Sequence, residues 1–145
     1  MLAKLDLPPV WALFTAASAW VLALLIPVLR FHIPLLPWVI MAAGLALVAW
    51  SAVHFFQNQT PIEPGKTPKV LLNKGPFRIN RNPVYTGMTL ILIGFALNLG
   101  AVTAFFPIVT FPMLLTKRFI LGEEARLRQA FGEEAKNYIS TTRRW

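Results

Sequence analysis

Two adjacent glutamates, Glu123 and Glu124, follow the last apolar segment of the chain by one to two helical turns. Glu124 lies at helical spacing from Ile120, Leu127 and Phe131, so it shares an otherwise apolar stripe on one helix face. A carboxylate on such a stripe beside a membrane is costly unless a cation neutralises it. The pattern predicts that one carboxylate, Glu124 or the flanking Glu123, faces inward, toward a cationic partner or ligand.

Three arginines are candidate partners for this carboxylate. Arg81 lies in the central polar segment and Arg144 in the C-terminal tail, so either one would connect distant parts of the chain. Arg128 lies four positions after Glu124 and could form a solvated helix pair, worth roughly 0.3–0.5 kcal/mol. The spacing alone leaves the inward and the solvated arrangements open.

The segment 71–87 joins turn-forming residues and cations to aromatic side chains. Gly75-Pro76 and Asn82-Pro83 predict turns, because the residue before a proline avoids helical geometry. A flexible linker would be more polar and would lack Phe77 and Tyr85. The segment therefore predicts an ordered polar surface at a membrane face, folded around a ligand. For Tyr85 alone, a role as an interfacial anchor remains open.

The composition is that of a membrane protein with one domain. The chain has 145 residues, 56% of them hydrophobic, and a mean hydropathy of +0.57. The net charge of +8 is carried by cations beside apolar segments, so binding to nucleic acid is not expected. There are no cysteines, and His32 and His54 lack further ligands at metal spacing, so no metal site is expected.

Four apolar segments predict an all-α, polytopic membrane protein with about four transmembrane helices. Residues 10–29 and 33–56 are long enough to span a bilayer. Residues 86–99 and 101–115, joined by a tight turn at Asn98-Leu99-Gly100, predict a helical hairpin.

Glycines indicate where these helices pack and end. Gly87 and Gly94 share one helix face and would allow a neighbouring helix to approach closely. From Lys117 onward the helical pattern is polar, and Gly132 is expected to interrupt it, as glycine does at a helix C-terminus.

The distribution of lysine and arginine predicts the orientation. Cations are concentrated in the central loop and the C-terminal tail, whereas the 98–100 turn carries none and the first turn carries only Arg30. Cytoplasmic segments are enriched in these residues, so the central loop, the tail and both termini are expected in the cytoplasm. The two polar segments then lie on one side of the membrane and can meet.

Two spaced motifs carry a family resemblance. The first is Gly75-Pro76-Phe77-(x3)-Arg81-Asn82-Pro83-Val84-Tyr85-(x)-Gly87. The second is Glu123-Glu124-(x2)-Leu127-(x3)-Phe131-Gly132-(x5)-Tyr138-(x5)-Arg144-Trp145. Together, from about Thr60 to the C-terminus, they resemble the isoprenylcysteine carboxyl methyltransferase family. The pattern of that family overlaps with that of the membrane phospholipid N-methyltransferases.

The resemblance implies an integral-membrane methyltransferase, in the bacterial inner membrane, that uses S-adenosylmethionine and releases S-adenosylhomocysteine. Its substrate would be a lipophilic small molecule or lipid reached from the bilayer. By similarity, the cofactor would contact Lys69, Val70, Leu71, Leu72, Phe77, Asn82, Pro83, Val84, Tyr85 and Glu123. The catalytic residues would be Glu124, Arg144 and Arg81. The sequence indicates no oligomeric state.

On this basis the chain forms a single membrane domain, residues 1–145. It divides into two N-terminal spans (1–56), a cytoplasmic cofactor loop (57–85), a helical hairpin (86–116) and a cytoplasmic C-terminal helix and tail (117–145).

Three positions depart from the family pattern. Asn82 replaces the motif histidine, as in other bacterial members, and Ala135 replaces a tyrosine. Phe119 stands where prenylcysteine enzymes have a substrate-binding arginine, so a more apolar acceptor is expected, such as a lipid amine, a small thiol or a quinone-like compound. Two rival functions stay open: a non-catalytic membrane scaffold whose basic loop binds anionic lipid, and a lipid reductase, for which no nicotinamide motif is found.

Overall fold

The computed structural model describes residues 6–145, so the first five residues of the predicted segment 1–56 lie outside the described part. Within residues 6–145 the chain is helical and contains no β-strand. The helices are α1 (Pro8–Leu25), α2 (Leu36–Gln57), the short α3 (Pro76–Ile79), α4 (Pro83–Leu99), α5 (Phe105–Leu115) and α6 (Leu121–Thr141). A 3₁₀ turn, Val102–Ala104, precedes α5, and a π-helical turn, Thr116–Ile120, joins α5 to α6.

Helix length and composition make this an all-α polytopic membrane protein. Among the described residues, α1, α2 and the continuous helical stretch Val102–Thr141 are long and apolar enough to cross a membrane. The apolar α4 has 17 residues, close to the lower limit for a span. In the long stretch, the part that crosses the membrane has to end before Glu123. Lys117 and Arg118 already lie near its end, and including Glu123 and Glu124 would bring four charged side chains into the membrane.

Helix α4 is held against α2 by three glycines. A Cβ atom on Gly44 of α2 would lie 2.6 Å from the backbone oxygen of Gly87, and one on Gly94 would lie 2.6 Å from that of Pro37. Only glycine permits such close contact between two helices. The packing predicted at Gly87 and Gly94 is therefore confirmed. It sets the position of the first turn of α4, which carries Tyr85.

The two connecting turns of the bundle meet at one end. Gly100 adopts a left-handed conformation, with φ of 67°, and ends α4, which confirms the predicted tight turn and hairpin. The backbone N–H of Phe31 donates to the Gly100 oxygen (2.9 Å), and that of Val102 donates to the Val28 oxygen (3.2 Å). The long 58–75 loop, α3 and the C-terminal tail are gathered at the other end, around the first turn of α4.

The last membrane helix continues into the polar C-terminal helix without a break at the predicted boundary between residues 116 and 117. The π-helical turn Thr116–Ile120 carries the chain across this boundary. The predicted interruption at Gly132 is confirmed, since its backbone angles (φ 53°, ψ −123°) are not helical. The part of α6 before Gly132 therefore extends directly from the bundle and presents Glu123 and Glu124 at its polar end.

Candidate active site

A cavity lies where the 58–75 loop, the first turn of α4 and the beginning of α6 meet. Its volume is about 130 Å³. Of the predicted cofactor-binding residues, its wall includes Val70, Leu72, Phe77, Asn82, Pro83, Val84, Tyr85 and Glu123.

Two predicted cofactor contacts are not part of this wall. Leu71 is buried beside it, and the side chain of Lys69 is exposed. The backbone N–H of Lys69 donates to the Thr60 hydroxyl (2.9 Å), which closes the loop next to the cavity.

An aromatic pair forms the apolar side of the cavity. Phe55, near the end of α2, meets Phe77 of α3 edge to face, with 5.3 Å between ring centroids. The Tyr138 hydroxyl donates to the backbone oxygen of Phe77 (2.7 Å) and so ties α3 to α6. Burial raises the pKa of Tyr138 to about 12, so this hydroxyl remains a donor at neutral pH.

Glu123 faces the cavity with a neutral hydrogen-bond partner. The Tyr85 hydroxyl donates to Glu123 Oε1 at 2.6 Å. Burial raises the pKa of the Glu123 carboxyl, and the Tyr85 hydrogen bond and the charge of Arg126 only partly oppose this. Within residues 6–145, no cationic side chain forms an ion pair with Glu123. This carboxylate is therefore available to a cationic ligand.

Glu124 is, in contrast, fully neutralised. Its side chain is 5% exposed, and its Oε1 atom accepts from Arg81 Nη2 (2.9 Å) and from Arg144 Nε (2.8 Å). Arg144 Nη2 adds a bond to Oε2 at 3.0 Å. Burial alone would raise the pKa of Glu124, but the hydrogen bonds from Arg144 and Arg81 outweigh it and lower the pKa. The exposed Arg128 lies 3.9 Å away, so the inward arrangement dominates over the solvated helix pair.

Arg81 also binds the backbone of the C-terminal tail and so holds the tail against the α3–α4 segment. Arg81 Nη1 donates to the backbone oxygens of Ile139 and Thr142, and the Arg81 N–H donates to the Arg143 oxygen (2.9 Å). Asn82 Nδ2 donates to the Arg144 oxygen at 3.0 Å. The three residues predicted to be catalytic, Arg81, Glu124 and Arg144, are thus brought together. Their side chains bind one another, and Arg81 also binds the backbone of the tail.

The two residues that bear on the acceptor, Phe119 and Arg118, do not line the cavity. Phe119 is buried in the core with Leu115 and Ile120. Arg118 is on the outside, where its Nε donates to Asp6 (2.5 Å) and its guanidinium lies 5.2 Å from the centre of the Trp11 ring.

Comparison with known proteins identifies the family. Residues 34–134, well over half of the chain, match the family model described as phospholipid methyltransferase. The chain belongs to the phospholipid methyltransferase family. The resemblance found in the sequence motifs is therefore confirmed, and the protein belongs to a family of membrane methyltransferases. No curated protein and no solved structure matches this chain.

The match to the phospholipid methyltransferase family includes most residues of the cavity wall but ends before the C-terminal tail that contacts them. Tyr85 and Glu123 lie within the matched residues, whereas Tyr138 and Arg144 lie beyond residue 134. The tail contacts that neutralise Glu124 are therefore a feature of this chain that the family match does not describe.

Sequence reasoning missed three charged residues of the cavity wall: Glu63 and Lys66, which pair with each other, and Arg126. The Arg126 guanidinium folds back over the preceding turn, where its Nη1 atom is 3.4 Å from the position of a Cβ on Gly122. The available signal was its spacing, since Arg126 lies three positions after Glu123 and so shares a helix face with it.

Proposed function

We propose that this protein transfers a methyl group from S-adenosylmethionine to a lipophilic acceptor that reaches the site from the bilayer. The observation that carries the proposal is Glu123, a carboxylate in the cavity wall with which no cation of residues 6–145 forms an ion pair, 2.6 Å from the Tyr85 hydroxyl. When bound, S-adenosylmethionine supplies an electrophilic methyl group on a cationic sulfur.

The side chains of the cavity suit such a cofactor. Glu123 offers a negative charge for its sulfonium or ammonium group. Phe55, Phe77 and Val84 offer an apolar wall of the kind that a nucleoside base needs. The room inside the cavity and its position at the polar end of the bundle favour a ligand that enters from water.

The residues of this chain act by orienting the reactants and excluding water. Tyr85 holds the Glu123 carboxylate in one orientation, and the ion cluster of Arg81, Glu124 and Arg144 keeps the tail against α3 and α4. Methyl transfer is an in-line displacement, so alignment of donor and acceptor in a site without water can supply most of the acceleration. Arg81, Glu124 and Arg144 thus support the reaction by positioning the walls of the site.

We expect a lipid amine to be methylated in preference to a prenylated cysteine. A prenylcysteine carboxylate calls for a cation in the site, but Phe119 replaces the arginine of the prenylcysteine enzymes. Arg118 and Arg144 are engaged by Asp6 and Glu124. Arg126, the cavity-wall arginine that forms no ion pair among residues 6–145, lies beside Glu123 and so suits an anion that carries its own cation, which a prenylcysteine carboxylate does not. Purified protein in lipid, given radiolabelled S-adenosylmethionine, should label phosphatidylethanolamine and leave N-acetyl-farnesylcysteine unlabelled.

Two other outcomes of this assay are informative. Saturable methylation of N-acetyl-farnesylcysteine would show that the choice of acceptor is wrong while the methyltransferase assignment holds. If no acceptor is labelled and S-adenosylmethionine does not bind in detergent, a scaffold that binds anionic lipid becomes the better interpretation.

We further propose that the cavity faces the cytoplasm. The chain has no cysteine, so single cysteines can be introduced at the exposed positions Thr67, Ser140 and Asn98. In intact cells, an impermeant thiol reagent should label the cysteine at 98 and spare those at 67 and 140, because lysine and arginine are concentrated in the latter two segments. Labelling of the cysteines at 67 and 140, but not of the one at 98, would show that the protein has the opposite orientation.

A further inference from the structure

Four of the six charged side chains in the cavity wall neutralise one another. Glu63 pairs with Lys66, and Glu124 pairs with Arg81. The other two, Glu123 and Arg126, carry opposite charges on one face of α6. In the part of the chain that the structure describes, neither forms an ion pair.

Arg126 is close to Glu123 but does not close onto it. Burial raises the pKa of the Glu123 carboxyl and the charge of Arg126 opposes part of this rise, so the two groups interact across the cavity wall. Because no ion pair within 4.0 Å forms between them, a negative and a positive group stand side by side with both charges unpaired. A ligand that presents a cation and an anion a few bonds apart would complement this arrangement.

We propose that Arg126 binds the anionic group, a carboxylate or a phosphate, of a zwitterionic ligand whose cationic group lies at Glu123. This inference rests on the proposed function. The guanidinium presents a planar fork of donors that matches either anion with two parallel hydrogen bonds. The guanidinium lies over Gly122 in the preceding turn, where a Cβ would be 3.4 Å from Arg126 Nη1.

Two kinds of ligand in the proposed reaction, the cofactor with its product and the lipid acceptor, have this chemistry. S-adenosylmethionine and S-adenosylhomocysteine carry an ammonium and a carboxylate on one carbon. Phosphatidylethanolamine carries an ammonium two carbons from its phosphodiester. The sources are separable, because 5′-methylthioadenosine retains the nucleoside and lacks the amino-acid part.

The test compares Arg126→Ala with Arg128→Ala, which removes the same charge from the same helix at an exposed position outside the cavity wall. Calorimetry measures the affinity for S-adenosylhomocysteine and for 5′-methylthioadenosine, and native mass spectrometry measures retained phosphatidylethanolamine. If Arg126 binds the cofactor carboxylate, Arg126→Ala lowers the affinity for S-adenosylhomocysteine by about 10- to 100-fold, as for a lost charge-assisted bond. The affinity for 5′-methylthioadenosine stays unchanged.

If Arg126 binds the lipid phosphate, S-adenosylhomocysteine affinity is unchanged and phosphatidylethanolamine is lost from Arg126→Ala but not from Arg128→Ala. Arg126→Lys keeps the charge and loses the planar fork of donors, so it should lose less affinity or lipid than Arg126→Ala. It replaces Arg126→Ala in the test if the alanine variant does not fold. Unchanged affinity and lipid retention in both Arg126 variants would overturn the inference. If the wild-type protein binds no S-adenosylhomocysteine, the proposed function fails, and lipid retention alone decides the role of Arg126.

Discussion

Replacing Glu124 by alanine is expected to destabilise the protein by about 3–5 kcal/mol, as is usual when one member of a buried ion pair is removed. The substitution leaves Arg81, whose side chain is 10% exposed, without a counter-charge. Arg144 is 35% exposed, so water compensates it in part and the loss falls mainly on Arg81. Unfolding in detergent, followed by tryptophan fluorescence, measures the change.

Glu133→Ala is the matched control for this experiment. Glu133 lies on the same helix, and its partner is the exposed Lys136, so its removal should cost less than about 1 kcal/mol. Equal stabilities of the Glu124→Ala and Glu133→Ala variants would mean that the ion cluster does not hold the tail.

The pH dependence of stability gives an independent measure of the same cluster. The pKa of Glu124 is lowered below its ordinary value of 4.5 by its arginine partners, although burial opposes this. Its contribution to stability is therefore complete above pH 4.5 and is lost as the pH falls through the lower folded-state value. Glu124→Gln should lack this part of the acid destabilisation.

Replacing Glu123 by alanine is expected to weaken the binding of S-adenosylmethionine or S-adenosylhomocysteine by about 1–3 kcal/mol, the usual cost of losing a charge-assisted contact. The physical reason is that the partner of Glu123 is the neutral Tyr85 hydroxyl and that no cation among residues 6–145 forms an ion pair with Glu123, so a cationic ligand would supply the counter-charge. Calorimetric titration of the purified protein measures the affinity.

The control here is Glu123→Gln, which keeps an acceptor for the Tyr85 hydroxyl and removes the charge. A loss of affinity in both Glu123 variants, with unfolding close to that of the wild type, would separate ligand binding from folding. Titration curves that coincide with the wild-type curve would show that Glu123 does not contribute to ligand binding.

Much of the architecture could be predicted from the sequence, because its signals are local. Apolar segments of span length predict transmembrane helices wherever they lie in the bundle. Gly100 and Gly132 mark helix ends because glycine tolerates positive φ, and both adopt it. The spaced motifs around Tyr85 and Glu123 were sufficient to indicate the family.

Only the tertiary structure decides which partner each of the two adjacent glutamates contacts. A step of one residue turns a side chain by about 100° around a helix. Glu123 therefore meets Tyr85, 38 positions away, and Glu124 meets Arg81, 43 positions away. Helical spacing indicates that a carboxylate faces inward, but the partner it finds depends on how distant segments pack.

The same rotation separates Arg118 from Phe119, one outside the bundle against Asp6 and the other in its core. Arg126 illustrates the limit of local reasoning most clearly. Its sequence neighbours suggest an ordinary solvated helix pair, as they do for Arg128. Arg126 lies in a cavity wall only because the 58–75 loop, the first turn of α4 and α6 surround one cavity. The other two cations of that wall, Lys66 and Arg81, are paired, and such pairing depends on distances that the sequence does not show.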